Sequence, residues 1–381
     1  MTRALRVLHI ASGDLWAGAE VQAFTLMSHL ARMPGMEVAA VLMNRGVLAD
    51  KLGRIGLQVF VLDEEKTNSL RLFSYLRRVL RRWRPDVIHT HRQKENILGS
   101  LANRSCRNVP SVRTVHGDRE YAAAAGLRGI RTRALTDLDR WCGRSLQQRI
   151  IAVTRELGLK LQQEYPSGKI TVIENGVDFE QVRRDRMSAE FREKEPDATH
   201  IGIAGRLVEV KRVDLFVETA ALLVREHPER TWRFHVFGEG PKRGELEELA
   251  GRLQLADKAF FHGHRQDIAT CLGGLDALVI CSDHEGMPMV SLEAAALGVP
   301  TVAHAVGGLV DIVPEAFLVR RHDANGYKEG ILRALGEDGR DLAQSDAVRT
   351  VERYSAVRNA ERVRALYEEL VAGSFDGSSN R

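Results

Sequence analysis

The chain has 381 residues, of which 44% are hydrophobic and 28% are charged, and its formal net charge is +4. These values are typical of a globular protein and exclude wholesale disorder, and the length favours two domains over one. The four cysteines (Cys106, Cys142, Cys271 and Cys281) form no CxxC pair. Their spacing argues against a disulfide framework or a structural zinc site and fits a reducing compartment.

The charge is divided unevenly along the chain. Residues 1–175 contain 28 Lys and Arg against 16 Asp and Glu, whereas the remainder contains 27 against 35. The basic first part predicts an anionic partner, either nucleic acid or an anionic membrane surface. No helix-turn-helix, zinc-finger or RNP-type pattern is present, which disfavours nucleic acid. The apolar run VLHIA is too short for a signal peptide or a membrane span, so we expect a cytoplasmic protein, soluble or peripheral on the membrane.

In the first part of the chain, short apolar runs alternate with segments of helical periodicity. Residues 19–32 and 69–83 have the helical pattern. The apolar runs predict strands at 4–10, 37–43, 57–62, 86–91, 111–117, 149–154 and 169–175. Alternation of this kind predicts a parallel sheet covered by helices on both faces.

The polar stretch 179–199 interrupts this alternation, and we interpret it as a connection between a first domain (1–178) and a second (200–354). In the second domain, strands are predicted at 200–206, 232–238, 259–263, 275–281 and 300–304, and helices at 211–226, 242–253 and 288–297. A helix at 355–372 is expected to pack back on the first domain, before a flexible tail at 373–381. We therefore predict an α/β fold of two doubly wound domains, with ligands bound at the carboxyl ends of the strands in the cleft between them.

The segment DHEGMPMVSLEAAALGVP (283–300) places Glu285 in a Gly/Pro turn and Glu293 in the helix that follows. Paired carboxylates can serve as a glycosidase acid and nucleophile, as metal ligands or as hydroxyl-binding groups. Pro288 suits the first helical turn, and the amides of residues 289–291 would then be unpaired donors at the positive end of the helix dipole. This arrangement predicts an anion site, although an ordinary helix start with two surface acids has the same spacing.

Three further segments help to identify the kind of site. GRLVEVK places Arg206 and Lys211 between a strand and a helix, where two cations suit a diphosphate. His89 and His91 form an H-x-H at a strand end, but no third ligand is visible, so we predict no metal site there. The first strand leads into GDLWAGAE rather than G-x-G-x-x-G, which disfavours an NAD dehydrogenase.

Taken in order, the segments AGAE, TVHG, ENGVD, AGRLVEVKRVD, VFGEGP, FHGHRQD and the E-x7-E helix resemble the retaining glycosyltransferases of family 4. The resemblance covers nearly the whole chain and implies the GT-B fold, with two Rossmann-like domains and an interdomain cleft. It also implies transfer of a sugar from a nucleotide-diphospho-sugar to a saccharide or lipid-linked acceptor, with retention of configuration and without a metal or another cofactor. Surface-polysaccharide, lipopolysaccharide or glycolipid biosynthesis is the expected pathway.

The resemblance implies roles for individual residues. Arg206 and Lys211 would neutralise the diphosphate, Glu285 would orient the sugar, and Glu293 would bind the ribose. His116 in TVHG would contact the donor sugar. The remaining donor-binding positions implied by the motifs are Gly18, Gly238, Gly240, Gly286, Met287, Met289 and Val290. The chain departs from the family at Ala17, where a second glycine is common, and at Asp311, where glutamate is usual.

Other interpretations remain open from sequence. A nucleotide-sugar 2-epimerase would share the fold but lack the E-x7-E signature, and a nucleotide-sugar-binding protein without catalysis would keep the binding residues. Basic residues cluster at 77–84 and 128–144; in the first cluster they are Arg77, Arg78, Arg81, Arg82 and Arg84. These side chains form either a solvated helix face or a surface that docks on anionic lipid.

Overall fold

The computed structural model describes residues 3–13, 16, 18–64, 66–117, 126–185, 187 and 189–376, without the side chains of 126–131 and 374–376. The chain divides into two compact units, Met1–Gly176 with Ala356–Arg381, and Val177–Ser355. Each unit contains its own parallel sheet. Ala17 and the last five residues of the tail predicted at 373–381 lie outside the described residues.

The first unit is built on seven parallel strands in the order β3-β2-β1-β4-β5-β6-β7. The strands are β1 (Leu5–Ala11), β2 (Met36–Leu42), β3 (Gln58–Val61), β4 (Val87–Thr90), β5 (Ser111–Val115), β6 (Arg149–Ala152) and β7 (Ile170–Val172). The helices are α1 (Gly18–Arg32), α2 (Val47–Arg54), α3 (Ser69–Trp83), α4 (Gln93–Cys106), α5 (Gly126–Ser145) and α6 (Arg155–Glu164). All seven predicted strands and both predicted helices are confirmed.

Apolar side chains from both faces of this sheet are buried, as expected for a parallel sheet covered on both sides. On one face, Val7 and Val87 pack in a cluster that includes Leu26 of α1. On the other face, Leu8 and Ile88 pack with side chains of α3 and α4. The chain's last helix, α16 (Ala356–Asp376), contributes Val363 and Tyr367 to the first of these cores. It therefore completes the hydrophobic core of the first unit.

The second unit repeats the topology with six parallel strands in the order β10-β9-β8-β11-β12-β13. The strands are β8 (Thr199–Ala204), β9 (Trp232–Phe237), β10 (Ala259–Gly263), β11 (Ala277–Ile280), β12 (Thr301–His304) and β13 (Leu318–Val319). The helices are α7 (Phe179–Asp185), α8 (Glu190–Lys194), α9 (Val213–Glu226), α10 (Arg243–Arg252), α11 (Ile268–Gly273), α12 (Met289–Ala296), α13 (Leu309–Ile312), α14 (Ala324–Leu335) and α15 (Glu337–Arg353). Both sheets have the strand order typical of Rossmann folds.

The stretch 179–199, predicted to be a connection, belongs to the second unit and contains α7 and α8. Arg192 of α8 donates to the carbonyl of Gly274 at 2.9 Å and to the Asp276 carboxylate at 2.7 Å. Glu195 also pairs with Arg233 of β9, so two charged residues of this stretch form ion pairs with the sheet of the second unit and the turn before β11. The two-residue strand β13 was not predicted, because so short a strand has no periodicity to detect.

No helix among residues 3–117 and 126–376, in the parts that the structure describes, is long and apolar enough to cross a membrane.

Candidate nucleotide-sugar site

The turn after β11 holds the first glutamate of the E-x7-E segment in an ion pair. Lys211 Nζ donates to Glu285 Oε1 at 2.5 Å, and Ser282 Oγ donates to the same oxygen at 2.6 Å. Only 9% of the Glu285 side chain is exposed, compared with 27% for Lys211. Sequence analysis placed both residues in one site but did not predict this direct contact, and it missed Ser282. A serine three residues before the glutamate, at a strand end, was the available signal.

A pocket in the second unit surrounds this ion pair. Its lining includes Arg206, Lys211, Ser282, Glu285, Pro288 and Val290. Arg206 is exposed and forms no salt bridge with any residue that the structure describes. Because Lys211 is already paired with a carboxylate, Arg206 supplies the net positive charge of the pocket.

Helix α12 begins beside the pocket with partly unused backbone donors. Pro288 is the N-cap, and the helix starts at Met289. The amide of Ser291, predicted to be unpaired, donates to the Pro288 carbonyl at 3.2 Å. The amides of Met289 and Val290 have no acceptor in the described part of the chain, as expected in a first helical turn. The predicted set of three free amides is therefore corrected to two.

The side chains of Met287 and Met289 are buried, with 6% exposure each. These two predicted donor-binding residues can therefore present only backbone atoms to a ligand. The carbonyl of Gly286 is also occupied, since it accepts from the Gly308 amide at 2.8 Å.

Glu293 lies on α12, one turn beyond the free amides, and is partly buried. Its carboxyl group has no hydrogen-bond partner in the described part of the chain, and burial raises the pKa of this group from 4.5 to about 7. A carboxyl group with an unused hydrogen-bonding capacity beside an anion site can accept from hydroxyl groups. Asp311, on α13, is held through its backbone: its amide donates to the Gly308 carbonyl and its carbonyl accepts from the Tyr354 hydroxyl.

Glycines allow the turns around the pocket to lie in close backbone contact. A Cβ on Gly238 would lie 1.8 Å from the Gly205 carbonyl oxygen, and one on Gly240 would lie 2.3 Å from that of Leu207. These glycines were predicted to let the backbone approach a ligand, but the structure shows that they let it approach the Arg206 turn. Gly307, at φ 55°, has the same role against the Glu285 carbonyl, where a Cβ would lie at 1.8 Å. Sequence analysis missed Gly307, although the GG pair was visible.

In the first unit, three histidines form a hydrogen-bonded row that ends at His116. His9 Nδ1 lies 3.0 Å from His91 Nε2, and His91 Nδ1 lies 3.3 Å from His116 Nε2. Burial lowers the pKa of His116 from 6.5 to about 4 and that of His9 to about 3. All three rings are therefore neutral at pH 7. Gly18, the predicted ligand contact near the N-terminus, is the exposed first residue of α1.

His89 and His91 do have a third histidine nearby, which could not be identified from the sequence. Ring nitrogens of His9, His89 and His91 all lie within 4.8 Å of one another, and all three residues are buried. However, the rings of His89 and His91 are nearly parallel, at 12° with centroids 4.6 Å apart. Ring-nitrogen lone pairs lie in the ring planes, so parallel rings do not direct them at a common ion. Both nitrogens of His89 are also bonded, to Tyr367 at 2.5 Å and Thr114 at 2.7 Å.

Helix α3 carries the basic cluster predicted at 77–84. The exposed arginines of this helix and its C-cap are Arg71, Arg78, Arg81, Arg82 and Arg84. They form no salt bridge with any residue that the structure describes. Arg77 is half-buried and lies over the Phe73 ring. In the second cluster, Arg140 and Arg144 are bonded to Glu164, and the side chains of Arg128 and Arg131 lie outside the described residues. Among the side chains that the structure describes, the first cluster forms an unpaired basic face, which we call the α3 face.

Two family models match the chain in succession: "Glycosyltransferase Family 4" over residues 16–181 and "Glycosyl transferases group 1" over residues 198–337. A D-inositol 3-phosphate glycosyltransferase of Geodermatophilus obscurus is 30% identical, over 76% of this chain and 68% of that protein. A UDP-Gal:alpha-D-GlcNAc-diphosphoundecaprenol alpha-1,3-galactosyltransferase of Escherichia coli is 24% identical, over 78% of each chain.

Among solved structures, Anabaena HepE in complex with UDP matches with a TM-score of 0.80 and 18% identity, over 96% of this chain and 100% of that one. This likeness shows the GT-B fold, which agrees with the two Rossmann-like sheets. The succession of family models and the relatives show the activity class. The chain belongs to glycosyltransferase family 4, also described as glycosyl transferases group 1, and is a glycosyltransferase.

Proposed function

We propose that the chain transfers a sugar, with retention of configuration, from a nucleotide-diphospho-sugar to a hydroxyl group of a saccharide or lipid-linked acceptor. The observation that carries the proposal is the pocket in which Lys211, Glu285 and Ser282 are hydrogen-bonded beside Arg206, which has no ion pair among the described residues. A pocket that combines an ion pair, a free cation and free backbone amides has groups for both a sugar and a diphosphate.

Arg206, Lys211 and the amides of Met289 and Val290 would bind the diphosphate. The guanidinium of Arg206 can donate to two phosphate oxygens at once, and Lys211 adds a point charge. The two amides add the positive end of the α12 dipole. These groups bind most strongly when negative charge develops on the departing diphosphate, so they lower the barrier for bond cleavage.

Glu285 and Glu293 would bind the hydroxyl groups at the two ends of the donor. Glu285 Oε1 already accepts two hydrogen bonds, so its position is fixed before the ligand arrives. Its second oxygen can accept from a sugar hydroxyl. Glu293, which has no partner among the described residues, would accept from the ribose hydroxyls.

The proposed step breaks the bond between the anomeric carbon and the diphosphate oxygen, and the electron pair leaves with the nucleoside diphosphate. The acceptor oxygen attacks the same face of the sugar, which retains the anomeric configuration. The acceptor proton passes to the leaving phosphate oxygen. No protein nucleophile is needed in this scheme, so Glu285 has an orienting role.

We further propose that transfer is independent of a metal ion, because protein cations occupy the role that a divalent metal has in other phosphate chemistry. The donor set in the pocket supports this, since one amine, one guanidinium and backbone amides are all cationic or hydrogen-bond donors.

The α3 face is proposed to dock the enzyme on an anionic membrane, at the inner face of the cytoplasmic membrane. Five arginines lie on one exposed helix face and its C-cap without an ion pair to any described residue, so they repel one another, and an anionic lipid surface relieves that repulsion. The name of the Escherichia coli relative specifies an acceptor linked to diphosphoundecaprenol. A lipid-linked acceptor and assembly of a surface polysaccharide or glycolipid are the functions that we propose for this chain.

Substituting Lys211→Ala should lower kcat at least about 100-fold, because it removes a positive charge that stabilises the departing diphosphate. Glu285→Gln should lower kcat by a similar factor, because it breaks the ion pair that fixes Lys211 and weakens the acceptor that orients the sugar. Product formation from a panel of UDP-, GDP- and ADP-sugars measures the effect, and the anomer of the product tests retention. Lys242→Ala is the matched control, since Lys242 pairs with Glu209 and Glu245 on the surface of the same unit. Full activity in either site variant, in a folded protein, would contradict the assignment.

Chelation should leave the transfer rate nearly unchanged, because no step in the proposal uses a metal. The initial rate is measured after dialysis against EDTA and again after adding Mg²⁺ or Mn²⁺. A large loss on chelation that is restored by either ion would overturn the metal-independent mechanism while leaving the donor pocket intact.

Glu293→Gln should stabilise the free protein in a pH-dependent way. Since burial raises the folded pKa of Glu293 from 4.5 to about 7, the folded state holds this proton more tightly than the unfolded state. Stability therefore falls as the pH rises from 4.5 towards 7 and stays reduced above it. Urea unfolding should show a gain for the variant of at most about 3 kcal/mol near pH 8 and little gain near pH 4.5. Nucleotide-sugar affinity should fall.

The exposed Glu248 on α10 provides the control, because Glu248→Gln alters the same functional group on the surface of the same unit. An equal gain in both variants, or a gain that does not vary with pH, would contradict the role of burial at Glu293.

Changing Arg71, Arg78, Arg81 and Arg82 together to Gln should weaken binding to phosphatidylglycerol vesicles about 100-fold or more, since each basic side chain contributes about 1 kcal/mol near an anionic surface. Co-sedimentation with phosphatidylglycerol and with phosphatidylcholine vesicles measures this. The control changes Arg225, Arg320, Arg321 and Arg349, which are exposed but ion-paired. Equal losses in both variants would mean that only total charge matters.

A further inference from the structure

His304, the last residue of β12, contacts the turn that carries Glu285. β12 lies next to β11 in the second sheet, with Ala303 paired to Ile280, so the segments that follow the two strands are neighbours. His304 Nδ1 lies 2.9 Å from the Ser282 carbonyl oxygen, and Ser282 Oγ donates to Glu285 at 2.6 Å. A single residue, Ser282, therefore connects the His304 ring to the Glu285 carboxylate.

The acceptor fixes which ring nitrogen of His304 carries hydrogen. A carbonyl oxygen only accepts, so Nδ1 must donate, and in the neutral ring Nε2 is then bare. Burial lowers the pKa of His304 below its usual value of 6.5, although the Ser282 carbonyl favours the charged form. The ring is therefore neutral at pH 7 and is in the Nδ1–H form.

A second histidine sets the plane of the His304 ring. His322 stacks on it, with centroids 3.7 Å apart and an angle of 11° between the rings. Both nitrogens of His322 have partners: Nε2 lies 3.0 Å from the Asp283 carboxylate, and Nδ1 lies 2.8 Å from the Tyr327 hydroxyl. A ring that is bonded at both nitrogens does not rotate freely. The ring stacked on it therefore keeps its Nδ1–H directed at Ser282.

The segment after β12 meets the Glu285 turn at two further places. The Gly308 amide donates to the Gly286 carbonyl at 2.8 Å. Gly307 packs against the Glu285 carbonyl, where a Cβ would lie 1.8 Å from the oxygen. These two contacts are made by the main chain. The contact from His304 is made by a side chain, so it can be removed by substitution while the main-chain contacts remain.

We propose that His304 is a positioning residue of the donor pocket. Its Nδ1–H holds the Ser282 main chain so that the Ser282 hydroxyl stays directed at Glu285, which keeps the orientation needed to accept from the sugar. The effect on transfer rests on the proposed function of Glu285. The contact with Ser282 is a property of the free protein and is tested without a substrate.

Crystal structures of the free wild-type protein and of His304→Phe test the effect on Ser282. The phenylalanine ring preserves the stack on His322 but has no N–H to donate. We expect Ser282 Oγ within hydrogen-bond distance of Glu285 in the wild type and turned away from it in the variant. An unchanged contact between Ser282 and Glu285 in His304→Phe would overturn the proposal, whatever the enzyme does with sugars.

Kinetics with two amide side chains separates positioning from packing. The amide nitrogen of Asn can lie near the position of the histidine Nδ1, whereas that of Gln lies near Nε2. His304→Phe and His304→Gln should each lower kcat about tenfold, because one oriented hydrogen bond is lost, and His304→Asn should recover most of it. The KM for the donor should change little, since Arg206 and the free amides of α12 are intact in every variant. Equal activity of the Asn and Gln variants would contradict the role of Nδ1.

His29→Phe is the matched control. His29 Nδ1 lies 2.9 Å from the Thr25 carbonyl on α1, so this variant loses a contact of the same kind and length in the first unit. It should leave kcat unchanged. Equal losses of kcat in His29→Phe and His304→Phe would indicate a general loss of stability and would overturn the proposal. A displaced Ser282 with unaltered kinetics in His304→Phe would support the contact with Ser282 and contradict the role of Glu285 in the proposed function.

Discussion

The pocket of the second unit depends on backbone contacts that fasten together the turns at the carboxyl end of its sheet. The Asp283 amide donates to the Val210 carbonyl at 2.9 Å, which joins the Glu285 turn to the Lys211 turn. The Leu207 amide donates to the Glu239 carbonyl at 2.9 Å and joins the Arg206 turn to the one after β9. These main-chain bonds set the positions of the charged side chains before any ligand binds, so less ordering remains to oppose binding.

Glycine is required where those turns touch. At Gly238 and Gly307 a Cβ would overlap a carbonyl oxygen at 1.8 Å, a distance that no side-chain rotation relieves because both atoms belong to the main chain. The positions of the Arg206 and Glu285 turns therefore depend on glycine at positions 238 and 307. An alanine at either glycine would displace a turn and, with it, a charge in the pocket.

Much of the fold was predictable because strand–helix alternation is a local property of the sequence. The strands at 4–10 and 200–206 were visible as short apolar runs, and parallel sheets bring their carboxyl ends to one edge. The sequence also identified Glu285, Lys211 and Arg206 as members of one site. Their pairing was not predictable, because Lys211 and Glu285 are 74 positions apart and their contact depends on the geometry of two turns.

The position of His9 beside His89 and His91 was not predicted, for a different reason. H-x-H spacing places His89 and His91 on the same face of a strand, since side chains alternate with period two. The register that pairs His9 with His89 adds a third ring to this face, and the pairing of Thr90 with Arg113 brings β5 alongside, with His116 beyond its end. Neither register can be read from a sequence without knowing the strand order.

Once the register is known, His9, His91 and His116 are seen to form a row across neighbouring strands and their ends. The facing ring nitrogens are 3.0 Å apart between His9 and His91 and 3.3 Å apart between His91 and His116, which is hydrogen-bond distance. Burial lowers the pKa values of His9 and His116 and keeps these rings neutral, so each contact in the row joins one N–H donor to one bare nitrogen and requires no buried charge.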